Sequence, residues 1–366
     1  MLKPNYNDCI INIISSFKKY YNKEYAYPTN PIVDKVLEYK KPKHIVLMIL
    51  DGLGSNVLDK HKNVCSFLLD NKVKDISSVY PSTTSASIPT CVSGKAPIET
   101  CWIGWTNYLK EVDRHVVFFK NTDFVTNEKL DINVNEIFPY ESFCKDYDIP
   151  SFSIGPSFYV DGCKNFKTFT NKILKTIKEN QESYIYAYWD DPDFNLHEYG
   201  TDSKKITRIL KNINKNLIKL YKDLKDTCLI ISADHGHINC KPIYLKRYND
   251  IYSLLNRMPS NEARCAFFSV KEDKKEEFEI LFNKYFKDDF ILMTKEEFLK
   301  NEFLGLYEYS TKHSRVDDLI GDYVGIAIGD KYFNHIDIDE SDFIFKSHHA
   351  GLTKEELTVP LIIVNK

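Results

Sequence analysis

The chain of 366 residues reads as an α/β protein: a three-layer α/β/α sandwich on a mainly parallel central sheet, with an inserted α+β subdomain. Two observations predict this. An aromatic, strand-like run at 183–189 (SYIYAYW), a long amphipathic stretch at 202–224 and an apolar run at 226–232 (DTCLIIS) make a strand–helix–strand unit. Such a crossover leaves its two strands parallel. The other apolar runs, at 44–50 and 359–364, are strand-sized and fall well short of the ~18–20 residues a membrane helix needs.

Taken in order, the first helix is expected over 6–20, where Ile10, Ile11, Ile14 and Phe17 form one stripe. The run 44–50 is the first buried strand; Asp51-Gly52-Leu53-Gly54 and helical sequence to about position 69 follow it. A strand is expected over 75–80, broken by Pro81, and a helix over 84–94. The acidic segment 190–200 reads as an irregular loop. In the stretch 202–224, Ile206, Ile209, Leu210, Ile213, Leu217 and Leu220 recur at spacings of three and four, and the lysines take the solvated faces. Short strands near 264–270 and 323–328 and a charged helix near 271–286 define the insertion. The expected organisation is a core over 1–240, an inserted subdomain over 241–341 and a return to the core over 342–366.

With 43% apolar and 28% charged residues the composition excludes wholesale disorder. A net charge of −3 gives no electrostatic basis for stable nucleic-acid binding. The nine cysteines include no C-x-x-C pair, which fits free thiols in a reducing compartment. The first twenty residues lack a continuous apolar core, so the expectation is a cytoplasmic protein with no membrane partner.

In parallel α/β sheets, ligands bind beyond the carboxyl ends of the strands. The run 44–50 ends in Asp51, 183–189 leads into Asp190, Asp191, Asp193 and His197, and 226–232 ends in Asp234-His235-Gly236. Each cluster alone has a plainer reading, as a turn residue, a surface ion pair or a strand-end turn. Together they put carboxylates and imidazoles on one sheet edge, a donor set that suits zinc and also manganese or iron. Hydroxyls crowd the strand-to-helix junction Pro81-Ser82-Thr83-Thr84-Ser85-Ala86-Ser87. A helix N-terminus there favours a phosphate, although capping is the plainer role for such residues. Ser347-His348-His349-Ala350-Gly351-Leu352 precedes the last strand.

The segments ILDGLG (49–54), VYPSTTSASIPTCVSGKAP (79–97), DPDFNLHEYG (191–200), SADHGH (232–237) and HHAGLTKEELTVPLI (348–362) together resemble the alkaline phosphatase superfamily, and within it the nucleotide pyrophosphatase/phosphodiesterase branch. The resemblance implies an alkaline-phosphatase-like fold and two divalent metal ions, most simply zinc. Asp193, His197 and His349 would hold one, and Asp51, Asp234 and His235 the other, facing the oxygen of Thr84. His349 is chosen over His348 because two small residues and a leucine follow it, as in the family; the family usually has Gly where Ala350 stands. Thr84 takes the nucleophile's place in the family phrase, which implies a phospho-threonine intermediate and a small-molecule phosphodiester or nucleotide substrate. The sulfatase signature is absent there. Ser87, standing where relatives carry an Asn, and Tyr159, an aromatic suited to stacking, are candidate substrate contacts. No Lys or Arg lies between Asp75 and Gly94, which favours a diester or pyrophosphate over a dianionic monoester. The alternatives are a phosphomonoesterase or phosphonate hydrolase on the same site, and a catalytically inactive binding module.

Overall fold

The computed structural model describes residues 2–145, 148–334 and 344–366, so the boundary expected at 341/342 lies outside the described residues. Six strands form the central sheet: β1 (His44–Leu50), β2 (Lys72–Ser77), β3 (Ser151–Ile154), β4 (Ser183–Trp189), β5 (Thr227–Ser232) and β6 (Thr358–Asn365). Their order across the sheet is β2-β6-β5-β1-β4-β3. β1 pairs in parallel with β4 on one side and β5 on the other, and β3 is parallel to β4. β6 is the reversed strand, antiparallel to both β5 and β2. Every residue of β1, β4 and β5 is buried, as expected when helices cover both faces of a sheet.

The register positions the chemistry. Leu50 lies opposite Trp189, and Ile49 opposite Ser232, so the three strands end level at one edge. The expected crossover is present, but β1 slots between its two strands. The crossover helix Lys204–Asp223 is capped at Ser203, whose side chain accepts from the Ile206 N–H, and it buries Ile206, Leu210, Ile213, Leu217 and Leu220.

Three expected boundaries move. The first helix spans Ile10–Tyr20 rather than 6–20, because the Asp8 carbonyl accepts from the Ser77 N–H at 2.8 Å and the Asn12 side chain accepts from the Cys9 N–H at 2.6 Å. Residues before Ile10 are thus spent docking on β2. The strand expected at 75–80 is Lys72–Ser77; it is an edge strand of mixed exposure and has no apolar run to reveal it. The segment expected to be irregular contains a helix, Asp193–Tyr199, which buries Leu196.

A second, antiparallel sheet has seven strands in the order Phe290–Thr294, Tyr323–Ala327, Cys265–Phe268, Ser260–Glu262, Thr106–Leu109, Arg114–Val117 and Thr122–Asp123. It therefore draws on residues before 241 as well as after, joined where Asn261 pairs with Thr106. Phe268, Phe278, Phe282, Phe286, Phe290 and Phe333 pack into a core of their own.

A buried ion pair ties this sheet to the last loop of the core. Arg264 is wholly buried and donates to Glu356 through Nε at 2.6 Å and Nη2 at 2.8 Å. Glu356 also accepts from the Gly351 N–H, the Thr353 N–H and the Thr353 hydroxyl. Removing one partner strands a buried charge. Arg264→Ala is expected to cost about 3–5 kcal/mol in urea unfolding, and the double change Arg264→Met with Glu356→Leu to cost less than that. A loss under about 1 kcal/mol for the single variant would contradict this reading.

Candidate active site

The loops that follow β1 and β5 meet backbone to backbone. A Cβ on Gly236 would lie 1.9 Å from the Glu355 carbonyl oxygen, and one on Gly54 would lie 2.4 Å from the Gly236 Cα. Only glycine permits that approach, which is the physical content of the D-G-L-G and D-H-G phrases. The Asp193 N–H donates to the Asp51 carbonyl at 3.0 Å, so the loop after β4 is sewn to the loop after β1. Three strand ends thereby deliver their acidic residues to one place.

Asp51 and Asp234 are almost wholly buried, and Asp193 is half-buried. Asp234 Oδ1 accepts from the N–H groups of Gly52 and His235, both at 3.0 Å. Its Oδ2 is buried without a partner. Thr84 opens the helix Thr84–Ser93, which ends at Gly94 in the left-handed conformation. It is the one partly exposed residue between Ser78 and Cys91. Its Oγ1 lies 3.3 Å from Asp51 Oδ2 and 3.2 Å from His235 Nε2.

The imidazoles are oriented from behind. His197 Nδ1 lies 2.9 Å from the Ser347 carbonyl, His235 Nδ1 3.1 Å from the Gly236 carbonyl and His349 Nδ1 3.1 Å from the Ser82 carbonyl. A carbonyl only accepts, so hydrogen bonding puts a proton on Nδ1 in each ring and leaves Nε2 as the atom that a cation would meet once any second proton is lost. Those Nε2 atoms converge on carboxylates: His235 lies 3.3 Å from Asp51 and 3.6 Å from Asp234, and His197 lies 3.5 Å from Asp193.

Burial, followed by the neighbouring Asp193, raises the Asp51 carboxyl above its ordinary value, and burial and Asp51 do the same to Asp234. Burial disfavours the His235 cation, yet Asp234 and Asp51 carry its pKa up to about 10. Burial pushes His197 down and holds His349 well below the usual imidazole range. Such a set is short of positive charge. A tetrahedron of metal bonds near 2.0–2.1 Å has edges of roughly 3.3 Å. The 3.2–3.6 Å separations among Thr84 Oγ1, Asp51, Asp234 Oδ2 and His235 Nε2 match it. The orphaned Asp234 oxygen and the inward-facing Nε2 atoms fit a divalent cation as well.

Two groupings of donor atoms, each mutually within 4.8 Å, stand out: Asp51 with Asp193 and His235, and Asp193 with His197, His237 and His349. The structure thus brings together Asp51, Thr84, Asp193, His197, Asp234, His235 and His349. His237 went unread in the sequence. Its signal was the second histidine of S-A-D-H-G-H; its Nε2 lies 2.6 Å from Asp193 Oδ1 and its Nδ1 3.1 Å from Ser347 Oγ. His348 Nδ1 instead accepts from the His349 N–H at 3.0 Å.

A cavity of about 470 Å³ opens beside Thr84; Trp105, Lys120, Phe124, Phe194 and Glu262 are among its walls. Ser87 and Tyr159 lie elsewhere. The Ser87 hydroxyl donates to the Asp234 carbonyl at 2.9 Å, inside the protein. Tyr159 stacks on Tyr188, with ring centroids 6.1 Å apart, and the Tyr188 hydroxyl bonds Asp51.

The fold recurs in solved structures of other proteins. Two solved structures of similar fold are the inactive murine ectonucleotide pyrophosphatase/phosphodiesterase 5 in complex with AMP (TM-score 0.63, 16% identity, 87% of each chain) and phosphonoacetate hydrolase from Sinorhizobium meliloti 1021 (TM-score 0.67, 13% identity, 88% of this chain and 90% of that one). Curated relatives include the bis(5'-adenosyl)-triphosphatase enpp4 of Xenopus laevis, 22% identical over 267 residues that make up 65% of this chain and 57% of that protein. The bovine counterpart is 22% identical over 219 residues, 54% of this chain and 48% of that protein. The chain thus spans about half the length of the curated relatives it matches. The family model for type I phosphodiesterase / nucleotide pyrophosphatase matches residues 45–325, which contain six of the seven assembled site residues. By that match, the chain belongs to the type I phosphodiesterase / nucleotide pyrophosphatase family.

Proposed function

We propose that this chain is a metal-dependent phosphodiesterase or nucleotide pyrophosphatase that uses Thr84 as its nucleophile on small-molecule phosphodiester or nucleotide substrates. The observation that carries this reading is the position of Thr84 Oγ1. It opens onto the cavity from a helix N-terminus, within 3.2–3.4 Å of His235 Nε2 and both Asp51 oxygens. Divalent cations held by Asp51, Asp234 and His235 and by Asp193, His197 and His349, most simply zinc, would supply Lewis-acid charge for the attacking and leaving oxygens.

The chain's own groups do the rest. Asp51 receives the hydrogen of the Thr84 hydroxyl, which leaves an oxygen lone pair free for phosphorus. The N–H groups of Thr84 and Ser85, first in their helix, have no intrahelical acceptor and can receive a phosphoryl oxygen. Attack by Thr84 expels the leaving alcohol or phosphate and gives a threonine ester, which water then hydrolyses. Lys120 is the one Lys or Arg among the described cavity residues, so a second anionic charge on phosphorus has little to meet, which favours diesters over monoesters. The names of the curated relatives support a pyrophosphate-bond substrate. The nine cysteines are all buried and free, which supports a reducing, cytoplasmic location, and no helix among the described residues is long and apolar enough to cross a membrane.

Thr84→Ala removes the attacking oxygen and spares the carboxylate and imidazole ligands. Hydrolysis of thymidine 5'-p-nitrophenyl phosphate is expected to fall at least ~10²–10³-fold, with zinc content largely retained. Thr84→Ser should keep partial activity and Thr83→Ala should be milder than Thr84→Ala. Wild-type turnover by Thr84→Ala would refute the covalent mechanism. In matched assays the wild type should prefer bis-p-nitrophenyl phosphate to p-nitrophenyl phosphate, and the opposite preference would move the substrate class to monoesters.

Metal binding must displace the proton that Asp234 and Asp51 hold on His235 up to about pH 10. Affinity in chelator competition should therefore rise between pH 6 and pH 8, roughly tenfold per pH unit for each proton displaced. A pH-independent affinity would contradict the ligand assignment.

A further inference from the structure

Glu262 takes no part in the chemistry described so far, yet it stands in the same cavity as Thr84. It ends the strand Ser260–Glu262 of the second sheet, is 4% exposed, and directs one carboxylate oxygen to the protein. Oε1 accepts from the Thr83 hydroxyl and from the Trp105 N–H, both at 2.7 Å. Oε2 has no hydrogen-bond partner among the described residues. Burial pushes this carboxyl up to about 7, the mark of a group short of donors. The charge of His235 offsets only part of that effect, and Lys120, the one lysine among the cavity residues, lies over the Trp105 ring at 5.7 Å.

We infer that Glu262 selects the organic substituent on phosphorus: its Oε2 accepts a hydrogen bond from a hydroxyl or amine of that substituent. The walls around it are aromatic, with Trp105, Phe124 and Phe194, so the fitting group is a flat or apolar body that also carries a donor, as a nucleoside does. The same carboxylate repels a second anionic group at that position. The inference rests on the proposed function and deepens it by assigning the residue that reads the leaving or retained alcohol.

Glu262→Gln is the informative change. It keeps an oxygen for Thr83 and Trp105 and replaces the second, unbonded acceptor with a donor. Thymidine 5'-p-nitrophenyl phosphate offers a sugar hydroxyl and a base N–H, whereas bis-p-nitrophenyl phosphate offers neither. Assayed at about pH 8.5, above the value of about 7 to which burial raises this carboxyl, the ratio of kcat/KM for the first over the second should fall about 10–100-fold in Glu262→Gln, the size of one hydrogen bond to a charged group. Glu262→Asp, which draws the charge back by one methylene, should shift the ratio the same way. An equal loss on both esters, or no loss on either, would overturn the assignment and leave the two-metal reading intact. Should the zinc-loaded wild type cleave neither ester, the proposed function falls, and calorimetry with thymidine 5'-monophosphate decides Glu262 separately. Binding about tenfold or more weaker in Glu262→Gln supports its role, and equal binding overturns it.

Discussion

Asp51, Asp193 and Asp234 bring three carboxylates to one sheet edge, two of them almost wholly buried, and of the neighbouring His197, His235 and His349 it is His235 that is raised toward a cation. Like charges at such separations cannot all ionise in a poorly solvated site without a compensating positive charge. The local architecture answers to that constraint. Three Nδ1–H groups are tied to backbone carbonyls, which aims the Nε2 atoms inward toward the carboxylates. The arrangement is costly to an empty protein and suited to one that holds divalent cations.

Holding those groups in place falls to contacts outside the sheet. Gly54 and Gly236 let the first and third acidic loops touch, and the Gly236 N–H donates to the Glu356 carbonyl at 2.9 Å. Glu356 in turn holds Arg264, so the loop that carries His349 is fixed by the second sheet. The second sheet also supplies Glu262 and the Trp105 wall. Core and second sheet therefore line one cavity: the first brings the carboxylates, the imidazoles and Thr84, the second Glu262 and part of the aromatic wall.

Much of this was legible in the sequence. β1, β4 and β5 are wholly buried and so appear as unbroken apolar runs, and the acidic residues at their ends mark the edge directly. Asp51, Asp193, His197, Asp234 and His235 come from that pattern, and Thr84 and His349 from the family phrases that the sequence resembles. What stayed hidden depends on tertiary contacts. β2 is an edge strand with mixed exposure, so no apolar run announces it. His237 follows His235 by two, and nothing local says that both rings turn to the same site. Glu262 reaches the cavity only because its strand pairs with residue 106, more than 150 positions earlier. Ser87 has the right composition for a phosphate contact, but its hydroxyl is taken by the Asp234 carbonyl.

Thr84 is the nucleophile only if phosphorus is transferred to it before it reaches water. The stereochemical course of hydrolysis tests this directly. A phosphorothioate diester of known configuration, cleaved in oxygen-18 water, should give product with configuration retained at phosphorus, because attack by Thr84 and then by water makes two inversions. A single net inversion would mean that water attacks directly, and would contradict the nucleophilic role of Thr84 whatever metals the site holds.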